Sequence, residues 1–248
     1  MTYTLLTFSP TGQSKACALA VANATKQEFV EFDVTHFIQR RKPLALADTT
    51  LIVAYPVYGG RVPVLFAEYL ANSVTCTNCQ AVAIASFGNR AYEDALVEME
   101  DILLAKGVPL IGAASIGCQH SYTDKVGSRR PDIEDFQLLD RLAVYLSGKT
   151  GRVSPPGNRP YKMDMPVADP PYMPTPRVGG WIIPDQLYAL CPTGALARKD
   201  PRLCIHCCAC IQLSKHELSM DNPWFTNFTR FLEQSFQQRV DSELHLPS

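Results

Sequence analysis

Five strand-like stretches punctuate the first 116 residues: the apolar runs 3–8 (YTLLTF), 50–55 (TLIVAY), 81–86 (AVAIAS) and 108–116 (VPLIGAASI), and 28–34 (EFVEFDV), which alternates. Strands that read as near-continuous apolar runs are buried on both faces, as in a parallel sheet covered by helices. Helical stretches fall between and after them: residues 15–26 (KACALAVANATK), from Pro63 to about Ala71, from Ala91 to about Lys106 with Gly107 as its stop, and about 132–147. Strands alternating with helices predict an α/β fold with a five-stranded doubly wound parallel sheet. In such sheets ligands bind beyond the C-terminal ends of the strands, where the strand order reverses. With order 2-1-3-4-5, strands one, three and four are neighbours, so the loops 9–14, 56–61 and 86–92 converge on one spot.

Each loop carries its own signal. Ser9-Pro10-Thr11-Gly12-Gln13-Ser14 lies between a strand and a helix, where amides, hydroxyls and the helix N-terminus favour an anion. The Walker spacing and G-x-G-x-x-G are both absent, so a monophosphate fits better than a nucleoside triphosphate or a dinucleotide. Ser and Thr are also ordinary helix caps. Tyr58 beside Gly59 and Gly60 suits a flat ring, one side chain stacking while the backbone approaches closely. The bland reading is a Gly-rich turn. Phe87-Gly88-Asn89-Arg90 follows the fourth strand.

The C-terminal part is governed by cysteines. Cys204, Cys207 and Cys210 stand at two-residue gaps, and Cys191 precedes Pro192. A C-x2-C-x2-C run places three thiolates on three irons of a cubane, and a remote Cys-Pro supplies the fourth. Two-cluster ferredoxins repeat this unit twice and exchange the fourth ligand between clusters. In that register the other cluster needs cysteines at 181, 184, 187 and 214, where Trp181, Pro184, Leu187 and Ser214 stand. One ligand set is complete and the other erased, which predicts a single [4Fe–4S] cluster, with the three apolar residues filling vacated space. The alternative is a structural zinc site, although those usually come as C-x2-C pairs. Cys208 is a spare expected to point away.

The remaining sequence sets bounds. The 248 residues allow one or two domains, and a net charge of −1 suggests neither nucleic acid nor an anionic membrane. No apolar run approaches membrane-spanning length, and MTYTLLTFSP lacks the basic start of a secretory signal. Nine cysteines, four of them in the cluster set, point to a reducing compartment and a cytoplasmic location. Eight prolines between residues 150 and 180 read as a stiff, extended linker lying against the first domain. Asn222-Pro223 looks like a helix start, and the apolar stripe 225, 228, 232, 236 is expected to pack on the rest of the protein. Cys76-Thr-Asn-Cys79 precedes a strand, which weakens a redox reading. Cys17 reads as core, His120 as hydrogen-bonded within its loop, and Arg40-Arg41-Lys42 as a solvated face. His206 has no role that spacing assigns.

Residues 1–148 resemble a flavodoxin domain: SPTGQS resembles its phosphate loop, with Gln13 where Asn is usual. PVYGGRVP, SFGNRAYEDAL, QHSYTDKVGSRRPD, PGNRPYK and the ending ELHLP resemble proteins in which a flavodoxin is fused to a bacterial-type ferredoxin. The resemblance implies bound FMN. Ser9, Thr11, Gly12, Gln13 and Ser14 would hold its phosphate. Pro56, Val57, Tyr58, Gly59 and Gly60 would line one side of the ring, and Phe87, Gly88, Asn89 and Tyr92 the other. The expected organisation is an FMN domain (1–149), a linker (150–180) and a small ferredoxin-like α+β unit with a C-terminal helix (181–248). The expected function is electron transfer between FMN, one cluster and redox partner proteins. A reductase of a small molecule such as a quinone, and a zinc-stapled interaction module without redox chemistry, are the alternatives.

Overall fold

A computed structural model describes residues 2–148, 151–162, 171–177, 185–215 and 217–247. The core of the molecule is a parallel sheet of β1 (Thr2–Thr7), β2 (Phe29–Asp33), β4 (Thr49–Pro56), β6 (Gln80–Phe87) and β7 (Leu110–Gly117). They run in the spatial order β2-β1-β4-β6-β7, and all four pairings are parallel. The predicted order therefore holds for these five. The central runs are apolar throughout because both faces are covered: every residue of β7 is buried, as is all of β6 after Gln80. A short second sheet pairs β3 (Leu44–Ala47) with β5 (Val74–Thr77).

Two helices cover each face. On one side α1 (Gln13–Ala24) and α4 (Ile133–Leu146) bury Cys17, Ala18 and Val21 with Leu139, Leu142 and Ala143. On the other, α2 (Val64–Ser73) and α3 (Ala95–Leu104) bury Phe66, Leu70, Leu96 and Met99. Burying one such large apolar side chain contributes about 1.5–3 kcal/mol. Asp132 caps α4 and forms a capping box with Asp135, so the helix starts where its donors would otherwise be orphaned.

The sheet has six strands, not the expected five. The sixth, β10 (Glu243–His245), comes from the C-terminus and runs antiparallel to β7, with Leu244 opposite Ala114. It covers an edge that would otherwise present unpaired backbone groups. A three-residue strand carrying Glu and His has no apolar run, so periodicity could not reveal it.

Between these ends lies a smaller unit. It contains β8 (Thr175–Pro176) paired with β9 (Leu218–Ser219), and the short helices α5 (Asp185–Leu190), α6 (Ala195–Arg198) and α7 (Ala209–Leu213). Its apolar centre holds Leu187, Leu196, Cys208, Ile211, Leu218, Met220 and Phe225. Leu187 is thus packed inside, while Trp181 and Pro184 lie outside the described residues. Ser214 is buried, and its hydroxyl donates to Ile211 O (3.0 Å) and accepts from Leu218 N (3.1 Å), joining α7 to β9. Helix α8 (Pro223–Ser235) follows, capped by Asn222, whose Oδ1 accepts from Trp224 N (2.9 Å) and Phe225 N (3.2 Å).

The described start of the linker, 151–162, lies along α3 as expected. Arg159 Nε and Nη2 reach Asp101, Nη2 also reaches Glu100, and Asn158 N donates to Asp94 (2.8 Å). One expectation is corrected. Arg40 is no solvated charge: it donates to Val34 O and to Pro192 O (both 2.7 Å), tying the second strand's exit to the Cys191-Pro192 turn. Burial pulls its guanidinium down to about 10. Arg41 and Lys42 are exposed. No helix among the described residues is long and apolar enough to cross a membrane.

Candidate functional site

The loops after β1, β4 and β6 do converge. They form one side of a cleft of about 390 Å³ to which Thr11, Gln13, Pro56, Val57, Tyr58, Gly59, Gly60, Phe87 and Gly88 contribute. That volume is in the range of small-molecule and cofactor sites. Gly12 heads α1 at φ 84° with no side-chain cap and no acidic residue in the first turn. Open space lies beside it. Ser9 Oγ takes up the Lys15 amide, and the first amides of the helix, with free room beside Gly12, are suited to an anion. Gly59 and Gly60 both have positive φ (59° and 81°) and close a tight turn in which Tyr58 and Arg61 exchange backbone hydrogen bonds of 3.0 and 3.1 Å. Only glycines adopt that pair of conformations without strain. The turn is braced from below by Glu98, which accepts from Arg61 Nε, Arg61 Nη2 and Val62 N, each at 2.8 Å.

Other expected residues serve the frame instead. Ser9 Oγ accepts from Lys15 N (3.0 Å), and Ser14 Oγ pairs with Ser86 Oγ, which lines the cleft. Neither serine, nor Gly12, is among the cleft's lining residues. Asn89 is turned away and fully engaged. Its Nδ2 donates to Phe236 O (2.9 Å) and Gln238 O (2.8 Å), and its Oδ1 accepts from Arg130 and Val240 N (both 3.1 Å). Tyr92 donates to Glu243 (2.7 Å) beside β10. The sequence pointed Asn89 and Tyr92 at a ring; the fold uses both to hold the C-terminal tail.

The opposite side of the cleft was not foreseen. It is built by the loop 118–122 and by Trp224, Phe228, Phe231, Leu232 and, just past α8, Phe236. Trp224 and Phe228 stack with centroids 5.0 Å apart, while Phe225 on the neighbouring face meets Tyr122 at 4.6 Å. The apolar stripe was visible in sequence, but a stripe facing protein and a stripe facing a cleft look alike. His120 is hydrogen-bonded within its loop, as expected, its Nδ1 accepting from Tyr122 N (3.1 Å), and its ring also lines the cleft. Burial, assisted by Arg90, lowers it to about 4, so it is neutral near pH 7. Gly88 makes the room, since a Cβ there would lie 2.5 Å from the imidazole.

Behind the cleft, Cys191, Cys204, Cys207 and Cys210 line one narrow cavity. His206 and Cys208 take left-handed conformations (φ 51° and 57°), which bend the loop so that three cysteines face the same way. Burial raises Cys204 to about 11 and Cys210 to about 12, and thiols across the cavity add to the effect. Against that, the N–H groups of His206, Ala209 and Ile211 reach the sulfurs of Cys204, Cys207 and Cys210, an arrangement that favours thiolate. Cys208, expected to point away, packs in the apolar centre and also lines this cavity. His206 stacks on Tyr172 at 4.1 Å, with Nε2 3.0 Å from Tyr172 O. Among the described residues, no group of three or more His, Cys, Asp or Glu meets the arrangement that holds a metal ion. The cleft and this cavity are neighbours: burial, then Cys207, Tyr122, Cys208 and Cys204, raise the Tyr58 phenol well above its usual value.

The other cysteines are quiet. Burial, and next Cys79, raise Cys76 to about 11, which leaves a thiol rather than the thiolate a redox motif needs. Cys17 and Cys118 are buried, and all nine cysteines are free.

No family model and no curated protein matches the sequence. Among solved structures, the chain is similar to a flavodoxin from the domain Archaea: 12% identity, 59% of this chain and 96% of that one, TM-score 0.41. It is similar to the two-electron reduced flavodoxin of Megasphaera elsdenii (14%, 57% and 97%, TM-score 0.35). A third is an NAD(P)H:quinone oxidoreductase from Methanothermobacter marburgensis (12%, 61% and 98%, TM-score 0.38).

Proposed function

We propose that this chain is an electron-transfer flavo-iron–sulfur protein, holding FMN in the three-loop cleft and one [4Fe–4S] cluster on Cys191, Cys204, Cys207 and Cys210. The observation that carries the reading is the pairing of the two cavities: a ring-sized cleft with Thr11 and Gln13 of the α1 N-terminus at its foot, backed by a cavity whose five lining cysteines include Cys191, Cys204, Cys207 and Cys210. Residues 1–149 form the FMN unit, 150–180 the linker and 181–248 the cluster-bearing unit, whose final strand returns to the main sheet. Nine free thiols suit a reducing, cytoplasmic setting.

When bound, FMN supplies one- or two-electron exchange and the cubane one-electron exchange, so the pair would convert between the two kinds of donor. The chain's own residues do the rest. The amides at the start of α1, with Thr11 and Gln13, would hold the phosphate. The glycine turn at Gly59-Gly60 lets backbone approach the ring, Tyr58 offers a face, and α8 supplies an apolar wall against water. His120, held neutral, presents an uncharged imidazole. Ligands of a single ion converge on one centre, whereas cubane thiolates bind different irons and stand further apart. The donor set, with N–H groups on three of the sulfurs, fits thiolates bound to iron.

Iron, sulfide, zinc and FMN content of anaerobically purified protein tests the proposal. About four irons, four sulfides and one FMN per chain are expected. Zinc without flavin would leave the interaction-module reading. A second redox reading rests on Trp224 and Phe231, which are 47% and 50% exposed at the cleft. Half-open aromatic walls admit a flat substrate such as a quinone. Steady turnover with NAD(P)H and a quinone would favour that reductase.

A further inference from the structure

The two cavities meet at one side chain. Ile205 lines the cleft together with Tyr58, His120 and Phe228. It also lines the cysteine cavity, together with Cys191, Cys204, Cys207 and Cys210. Among the described residues, no other is common to both linings. Ile205 follows Cys204 directly and precedes His206, whose left-handed backbone turns the loop. Its side chain packs against the main core. A β-branched side chain has little rotamer freedom, and an apolar one keeps water from bridging the two spaces.

We propose that Ile205 is the partition across which single electrons pass between the cleft and the cysteine cavity, and that its packed side chain sets the rate of that passage. The inference rests on the cofactor assignment above. Electron tunnelling falls steeply with the length of unfilled space between donor and acceptor, and packed atoms carry it better than a void. With both groups bound, one electron would pass from the flavin to the cluster, the flavin's proton going to solvent, and no protein bond would form or break. Internal exchange of this kind needs no docked partner. A partner protein is needed only to load or unload the pair.

The test is laser-flash photoreduction of FMN by a deazaflavin in the full, cofactor-loaded chain, following the cluster's absorbance. Ile205→Val and Ile205→Ala form a graded series, with Ile133→Ala on exposed α4 as the control. The expected result is a stepwise fall in the flavin-to-cluster rate, by an order of magnitude or more for Ile205→Ala. Iron and FMN contents and both midpoint potentials should stay at parent values, and the control rate should be unchanged. A rate that ignores the side chain, or rises as it shrinks, overturns the proposal while leaving the cofactor assignment intact. If Ile205→Ala loses a cofactor, Ile205→Val decides: a rate equal to the parent's overturns it. Parent protein lacking FMN or iron overturns this proposal and the function above together, and the content assay reveals that before any flash is fired.

Discussion

At the scale of single residues, two positions in the cleft carry measurable consequences. Gly60 sits at φ 81°, and a Cβ there would lie 1.9 Å from Glu93 Oε2, whose side chain pairs with Arg90 (2.8 Å). Gly60→Ala should cost about 1–2 kcal/mol from the left-handed backbone alone, with a further loss as Glu93 is displaced. The urea midpoint reports both effects together. An unchanged midpoint would show that the turn relaxes freely. His120 gives a pH signature. Its folded value of about 4 lies below the ordinary 6.5, so from pH 6.5 down to about 4 the unfolded chain binds the proton and the folded one does not. Stability must fall as pH drops through that window, by up to ~1.4 kcal/mol per unit from this group. His120→Gln should remove that share: the gap between parent and variant urea stabilities, compared at pH 7 and pH 5, narrows or reverses at the lower pH. Curves that stay parallel would sink the assignment.

At the scale of elements, the inner parallel strands were legible because a strand buried on both faces writes itself as an apolar run, while β2, a sheet edge with no buried residue, was legible only from its alternation. The gathering of Cys191, Cys204, Cys207 and Cys210 around one cavity was suggested by their spacing rather than by any apolar pattern. Helix α8 was legible as a helix, from Asn222-Pro223 and its stripe, but not as a wall of the cleft, since burial pattern does not name what covers it. Asn89 and Tyr92 misled because loop composition cannot show that the tail returns. What fixes that tail is a buried node. Arg130 donates to Asp135 through Nη2 (2.6 Å) and Nε (3.0 Å), to Asn89 Oδ1 (3.1 Å) and to Val240 O (2.6 Å). Ser242 Oγ joins the same carboxylate at 2.6 Å. Gly117 is glycine because a Cβ there would meet the guanidinium at 2.2 Å. Arg130→Met would strand the Asp135 carboxylate, which is 1% exposed, and should cost about 3–5 kcal/mol. A urea-melt loss under 1 kcal/mol would mean that the node is replaceable.

At the scale of the whole molecule, chain order and spatial order part company. The cysteine unit follows the sheet in sequence, yet three separate ties bind it back. Residues 151–162 are ion-paired along α3, Arg40 reaches Pro192, and the segment after α8 ends as a strand on β7. Arg239 adds a surface link from the tail to the start of α4 through Asp132. A unit of this size has a small apolar centre of its own, and small cores supply little net stability. Its stability is therefore borrowed from the larger half, and the two should melt together. Calorimetry of the full chain is expected to give one transition whose calorimetric and van't Hoff enthalpies agree. Ending the chain after Gln237 removes β10, Val240, Ser242 and Arg239 at once. It also leaves the β7 edge bare and α8 without its anchor on the far side of the cleft. That shortened chain should show two transitions, the cysteine unit melting first. Two transitions in the full chain would show instead that the halves are independent and that the tail merely decorates the sheet edge.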